Sequence, residues 1–136
     1  MNKFTGIRCK ITTVIFLSAV GVFTSGCGSG PRRAGAVDAE LARESLKTAL
    51  ESWKKGELPG ALRDGSPSIT VQDMDWKAGL TLVTYEMQGG EKEDAANLHC
   101  PVRLTLRDQQ GREIKKPVTY VIGTDPVITV FREMSL

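Results

Sequence analysis

LHCPVRLTLR, residues 98–107, alternates with a period of two: Cys100, Val102, Leu104 and Leu106 point one way, and His99, Arg103, Thr105 and Arg107 the other. Successive side chains leave a pleated backbone on opposite faces, so this stretch predicts a strand with one buried and one wet face. Toward the C-terminus, DQQGR at 108–112 offers Gly111 for positive φ and predicts a hairpin turn. Residues 117–122 and 127–132 supply two more strands, separated by Gly123, Thr124, Asp125 and Pro126. Pro117 has no backbone donor, which puts it at the start of its strand or on an edge.

Toward the N-terminus, QGGEKEDAAN at 88–97 reads as a polar connection. Residues 80–87 form the preceding strand, with Leu80 and Leu82 on one face and Val83, Tyr85 and Met87 on the other. Ile69, Thr70 and Val71 make a short strand leading into Asp73, Met74, Asp75 and Trp76. Before it, ELPGALRDGSPS at 57–68 carries two Pro and two Gly and reads as a loop.

From 38 to 55 the period changes to that of a helix. Ala42, Leu46, Ala49, Leu50 and Trp53 recur on one helical face. Asp38 is placed to cap the N-terminus, Lys54 and Lys55 favour the C-terminal dipole, and Gly56 stops the helix. Glu40 with Arg43, Glu44 with Lys47, and Glu51 with Lys54 and Lys55 have the spacing of ion pairs along the solvent side. One amphipathic helix followed by four or five meandering strands predicts an α+β domain, the helix lying on a curved antiparallel sheet. In its order of elements over 38–132 the chain resembles the cystatin-like and NTF2-like group of small domains.

The first 27 residues carry a different message. Lys3, Arg8 and Lys10 precede thirteen mostly apolar residues at 11–23, and Thr24, Ser25, Gly26 and Cys27 follow. Thirteen helical residues span about 20 Å, short of the ~30 Å hydrocarbon core of a bilayer. The pattern is that of a bacterial export signal. Thr24-Ser25-Gly26-Cys27 resembles the lipobox of bacterial lipoproteins, with Thr24 where that family usually has Leu. The resemblance implies cleavage after residue 26 and acyl chains on Cys27, palmitate among them. It also implies a membrane anchor on the exported side: the periplasmic face of the inner or outer membrane, or the cell surface. GSGPRRAGA at 28–36 has no large apolar residue and reads as a tether of about 15–18 Å mean reach. The chain thus divides into a signal at 1–26, a lipidated Cys and tether at 27–37, and one domain at 38–136.

Cleavage changes the charge. Three of the eighteen Lys and Arg lie in the leader and none of the sixteen Asp and Glu, so the remaining 110 residues carry a net −1. A near-neutral domain with interspersed signs gives no electrostatic case for nucleic acid. Arg32 and Arg33 follow the anchor and offer anionic headgroups about 1 kcal/mol each. Cys9 leaves with the leader, and an acylated Cys27 leaves Cys100 without a partner in the chain. The alternative is an ordinary secreted protein in which Cys27 and Cys100 pair.

Candidate chemistry is sparse. His99 and Cys100 offer a thiol and a base, but strand neighbours project to opposite faces, so the imidazole cannot reach the thiol. Asp73 and Asp75 flank Met74 as a cation ligand pair or paired acids; an isolated D-x-D lacks the further oxygens calcium needs, and capping of the turn into Trp76 is the simpler reading. Trp53, Trp76, Tyr85, Tyr120 and Phe131 either line a pocket between helix and sheet or form the core. Arg103, Thr105 and Arg107, with Arg112, Lys115 and Lys116 beyond the turn, form a basic stripe suited to an acidic partner or a cell-wall polymer, or simply to keeping a sheet face wet and discouraging edge pairing. The sequence shows no phosphate loop, no metal-spaced Cys or His cluster and no internal repeat, and it implies no cofactor.

These readings converge on a membrane-anchored, non-enzymatic binding domain that meets an envelope protein through a sheet face or edge. A pocketed NTF2-like binder or enzyme using Asp73, Asp75, Trp76 or His99 is the alternative. A structural envelope protein is the third.

Overall fold

The apolar stripe expected from the helical spacing is the face that folds inward. Ala42, Leu46, Ala49, Leu50 and Trp53 are each no more than 2% exposed. The structure is a computed structural model, and it describes residues 33–134. The expected signal at 1–26, Cys27 and the first part of the tether lie outside the described residues. Helix α1 spans Ala39–Lys54; Asp38 caps it by accepting from the backbone N–H groups of Glu40 and Leu41 at 3.1 and 3.0 Å. Gly56, at φ +81°, follows the last turn in the left-handed conformation that glycine adopts without strain. The polar side of α1 behaves differently from the expected run of local pairs. Arg43 reaches Glu91 at 2.6 Å, and Glu51 accepts from the Tyr85 hydroxyl at 2.8 Å. Contacts to β2 and to the connection before β3 therefore take charges that spacing alone assigned to neighbours on the helix.

The strands are β1 (Ile69–Gln72), β2 (Thr81–Met87), β3 (Lys92–Asp94), β4 (Asn97–Arg107), β5 (Glu113–Gly123) and β6 (Ile128–Arg132), with a four-residue helix α2 (Met74–Lys77) after β1. They form one sheet in the order β1-β6-β5-β4-β2, with β3 also paired to β4, curled into half a barrel. The α+β class is as expected; the strand count and the all-antiparallel pairing are not. β1 runs parallel to β6, Ile69 opposite Ile128 and Val71 opposite Val130, so the sheet is mixed. Alternation identifies a strand but not its neighbour, and β1 reaches β6 without a tight turn that would fix its direction. The sixth strand, β3, lies inside the polar 88–97 connection. All three of its residues are exposed, so no apolar alternation announces it.

Two further differences have local causes. Leu82 is opposite Leu106 but Thr84 is opposite Thr105, so Val83 is an extra residue that bulges β2. Beyond the bulge the alternation reverses, and Tyr85, opposite inward-facing Leu104, shares the core face with Leu82. β5 begins at Glu113, earlier than expected, so Pro117 lies within it and takes the edge, the second of the two places open to it. Its pair with Arg103 is one whose backbone groups point away from each other. Thr119, of the same parity, aims its carbonyl sideways at the N–H of Glu133, 2.8 Å away. The missing donor of Pro117 thus faces the side where β6 has ended, a local edge. Pro101 obeys the same rule on the other side of β4, where β2 gives way to β3.

The core lies between α1 and the concave sheet face, where Leu98, Cys100, Val102, Leu104, Leu106, Tyr120, Ile122 and Val130 are all within 1% of full burial. Before α1, in the stretch expected as a loose tether, Gly35 donates to Asp125 Oδ2 at 2.7 Å and Val37 to the Ala95 carbonyl at 3.2 Å. Asp38 donates to the Thr124 hydroxyl at 2.9 Å. Among the described residues no helix is long and apolar enough to cross a membrane.

Candidate functional site

The D-x-D pair and Trp76 fall at one place, the turn that leaves β1. Asp73 has extended backbone (φ −133°, ψ 126°) and caps α2, its Oδ1 accepting from the Trp76 N–H at 3.0 Å. That cap turns the Trp76 ring inward, where it stacks on Trp53 at a centroid distance of 5.3 Å and an interplanar angle of 6°. Both indoles keep a polar contact: Trp53 Nε1 donates to the Leu80 carbonyl at 2.7 Å and Trp76 Nε1 to that of Glu57 at 2.8 Å. The cap expected of this motif is therefore supplied by Asp73, and Asp75 does something else.

Asp73 is buried to 1% exposure, which a carboxylate tolerates only when its oxygens are satisfied. Oδ2 accepts from the Tyr120 hydroxyl at 2.7 Å, and Oδ1 also faces Arg132 Nη1 at 3.4 Å. Asp75 Oδ2 accepts from the same Arg132 nitrogen and, at 2.9 Å, from Lys116 Nζ. Partial burial pushes the Asp75 carboxyl up, but the hydrogen bonds and charges of Arg132 and Lys116 outweigh it and hold it below the usual carboxylate range. Burial likewise pulls the Arg132 guanidinium down, and the two carboxylates more than compensate. Burial, then the Asp73 charge, pushes the Tyr120 phenol far up, so it remains a donor. Two anions and two cations cancel. A carboxylate held by two cations is a weak base, and the cluster ties α2 to β5 and β6 more readily than it moves protons.

That Arg132 and Lys116 need buried partners is legible in principle. Arg132 falls on the inward register of β6 with Ile128 and Val130, and Lys116 on that of β5 with Val118 and Tyr120. A charge on an otherwise apolar register asks for a buried partner. Lys116 thereby leaves the expected basic stripe, and most of the rest is neutralised. Arg103 pairs with Glu86 at 3.7 Å, Arg107 with Glu113 at 2.9 Å and Arg112 with Asp108 at 2.7 Å. The outer face is wet but carries no strong positive field.

The cluster itself forms one wall of an open cleft of about 560 Å³: Asp73, Asp75, Lys116 and Arg132 line it together with Met74 and Lys77 of α2, Pro117 of β5, and Phe131 and Met134. A second depression, of about 450 Å³, sits among Glu86, Arg103, Thr105 and Lys115 on the outer face. The space between α1 and the sheet, where an aromatic-walled pocket was the alternative, is occupied by the buried rings of Trp53, Trp76 and Tyr120. Phe131 belongs to neither arrangement; it faces outward and is 37% exposed.

His99 and Cys100 are separated as strand geometry requires. His99 is half-buried between Lys92 and Val121, and Cys100 is fully buried on the core face. Burial, with the Glu91 carboxylate adding, pushes the Cys100 thiol up to about 11, the reverse of what a nucleophile needs. Among the described residues no three His, Cys, Asp or Glu converge to hold a metal ion. No family model, curated protein or solved structure matches the chain.

Proposed function

We propose that the chain is a bacterial lipoprotein, anchored through Cys27 on the exported side of a membrane, whose single α+β domain is a non-enzymatic binding module for another envelope protein. The helix held in the concavity of a curled sheet supports an arrangement akin to the cystatin-like and NTF2-like group, with the parallel β1–β6 pair as its own departure. The observation that carries the binding reading is the fate of the acidic pair. Both carboxylates, the strongest candidates for chemistry, are engaged by internal donors, while Met74, Lys77 and Met134 at the cleft and Lys115 at the sheet edge remain turned to solvent.

The anchor is tested by labelling cells with a fatty-acid analogue. Wild type incorporates the label and Cys27→Ser does not; equal incorporation by both removes the anchor. The binding module is tested by photo-crosslinking in the intact envelope from residues placed on the outer face and the sheet edge. Failure to capture any protein from either removes that half of the proposal.

A further inference from the structure

We infer that the unpaired edge of β5 at Glu113, Lys115 and Pro117, together with the cleft beside it, docks an extended segment of a partner protein whose side chains alternate between apolar and acidic. The inference rests on the binding reading above and names the edge and the chemistry it selects.

β5 is eleven residues long, yet β6 pairs only with Tyr120, Val121, Ile122 and Gly123, and the Glu133-to-Thr119 hydrogen bond closes that ladder. Backbone groups point alternately to the two sides of a strand. Residues of the same parity as Thr119 therefore aim theirs away from β4. Glu113 and Lys115 present an N–H and a C=O each to that side, and Pro117 presents a C=O alone. Among the described residues no strand covers them. An exposed row of main-chain donors and acceptors is a template for one more strand, and an added strand gains affinity from the ladder and selectivity from alternate side chains.

The surroundings specify those side chains. Large apolar groups are exposed on both flanks of this edge: Met74 at 67%, Met134 at 74%, Phe131 at 37% and Ile114 at 42%. They are four of the seven exposed large apolar residues described, and three of them border the cleft, a concentration that marks an interaction surface. Charge settles the alternate positions. Arg107, Arg112, Lys116 and Arg132 all have carboxylate partners, whereas Lys115 and Lys77 have none among the described residues. Lys115 projects to the outer face, as its pairing with Thr105 requires. A partner residue directly opposite Lys115 lies on the same face and is best acidic. Its two neighbours turn to the inner face, beside Ile114 and the Met74 side of the cleft, and are best apolar. Glu133 stands at the closed end of the ladder, where it discourages a longer acidic overlap.

The test uses the full-length protein in detergent micelles and a fluorescent peptide of alternating valine and glutamate. Wild type binds. Lys115→Pro removes the edge N–H without touching the ladder to β4 and weakens binding by about tenfold or more, whereas Lys115→Ala keeps the N–H and weakens it by only about threefold. Met74→Asp, at an exposed position in the first turn of α2, weakens binding about tenfold and serves if Lys115→Pro does not fold. Absence of wild-type binding, or equal losses in Lys115→Pro and Lys115→Ala, overturns the inference. So does a dimer in sedimentation that Lys115→Pro dissociates, because the edge would then be covered by a second copy. Photo-crosslinking separates this failure from failure of the broader reading. Capture from position 105 but not 115 sinks the edge and leaves a binding module; capture from neither sinks both.

Discussion

Tyr120 and Asp73, 47 positions apart, are joined by a 2.7 Å hydrogen bond from the phenol to Oδ2, and each side chain is only 1% exposed. Tyr120 stands mid-sheet on β5 and Asp73 begins the turn after β1, strands separated by β6. The bond is thus a strut beneath β6, and Arg132 of that strand touches both Asp73 and Asp75 from above it. The strut, the α2 cap and the Trp53–Trp76 stack share residues, so damage to one propagates to the others.

Removing Asp73 leaves a buried phenol and a mostly buried guanidinium short of an acceptor and uncaps α2. Asp73→Ala is expected to cost about 3–5 kcal/mol and Tyr120→Phe about 1–2 kcal/mol in urea unfolding. The double variant should fall short of the sum, because each single change already breaks the same bond. Additive losses would show that the two side chains do not support each other.

The Asp75 carboxyl, held below its ordinary value by Arg132 and Lys116 despite partial burial, predicts an acid-labile fold. A depressed carboxyl adds stability above its unfolded pKa of about 4, and that stability is lost as pH falls through the lower folded value. Denaturant midpoints measured from neutral pH downward should therefore drop below about pH 4, and Asp75→Asn should flatten that limb while lowering the neutral plateau. An unchanged acid limb in Asp75→Asn would assign the effect to other groups.

How much of this was readable before the fold was known depends on the residue. The α1 stripe and the β4 alternation were plain, because burial on one side of a regular element writes its period into the side chains. The Asp73 cap was legible for the same local reason. Simple alternation puts Tyr85 on the face opposite Leu82, because it cannot show the extra residue at Val83: a bulge has no composition of its own. β3 and the parallel β1–β6 pair were hidden because exposed or distant pairings leave no periodic trace. Lys116 reads as a surface cation because it precedes the alternation that begins at 117; its partner Asp75, 41 positions away, is assigned only in three dimensions.

Cys100 supplies a second pH window, of opposite direction. Burial and the Glu91 carboxylate push its thiol up to about 11. A raised thiol stabilises the fold fully below its unfolded value of about 8.5, and the contribution is lost as pH rises through the folded value. Iodoacetamide should modify Cys100 slowly in the native protein at mildly alkaline pH and rapidly in denaturant, in a Cys27→Ser, Cys9→Ser background. Cys100→Ala should flatten the alkaline limb of stability. Rapid native labelling would mean that the thiol is not enclosed.

Gly123 lies where β4, β5 and β6 meet, opposite both Asn97 and Thr129. A Cβ there would sit 3.0 Å from Thr129 Oγ1 and 3.4 Å from Asn97 Oδ1. The next two residues, Thr124 and Asp125, receive the hydrogen bonds of Asp38 and Gly35, which fix the chain where it enters α1. Gly123→Ala is therefore expected to destabilise the domain by about 1–3 kcal/mol, the usual range for overpacking. It should also loosen the stretch from Gly35 to Asp38, seen as faster protease cleavage there at temperatures where the domain stays folded. Thr129→Ala removes the nearest atom and should recover part of the loss when combined with Gly123→Ala, a coupling that a purely conformational penalty at Gly123 would not show. If the combined variant is no better than the sum of its parts, the crowding at Thr129 is not the cause.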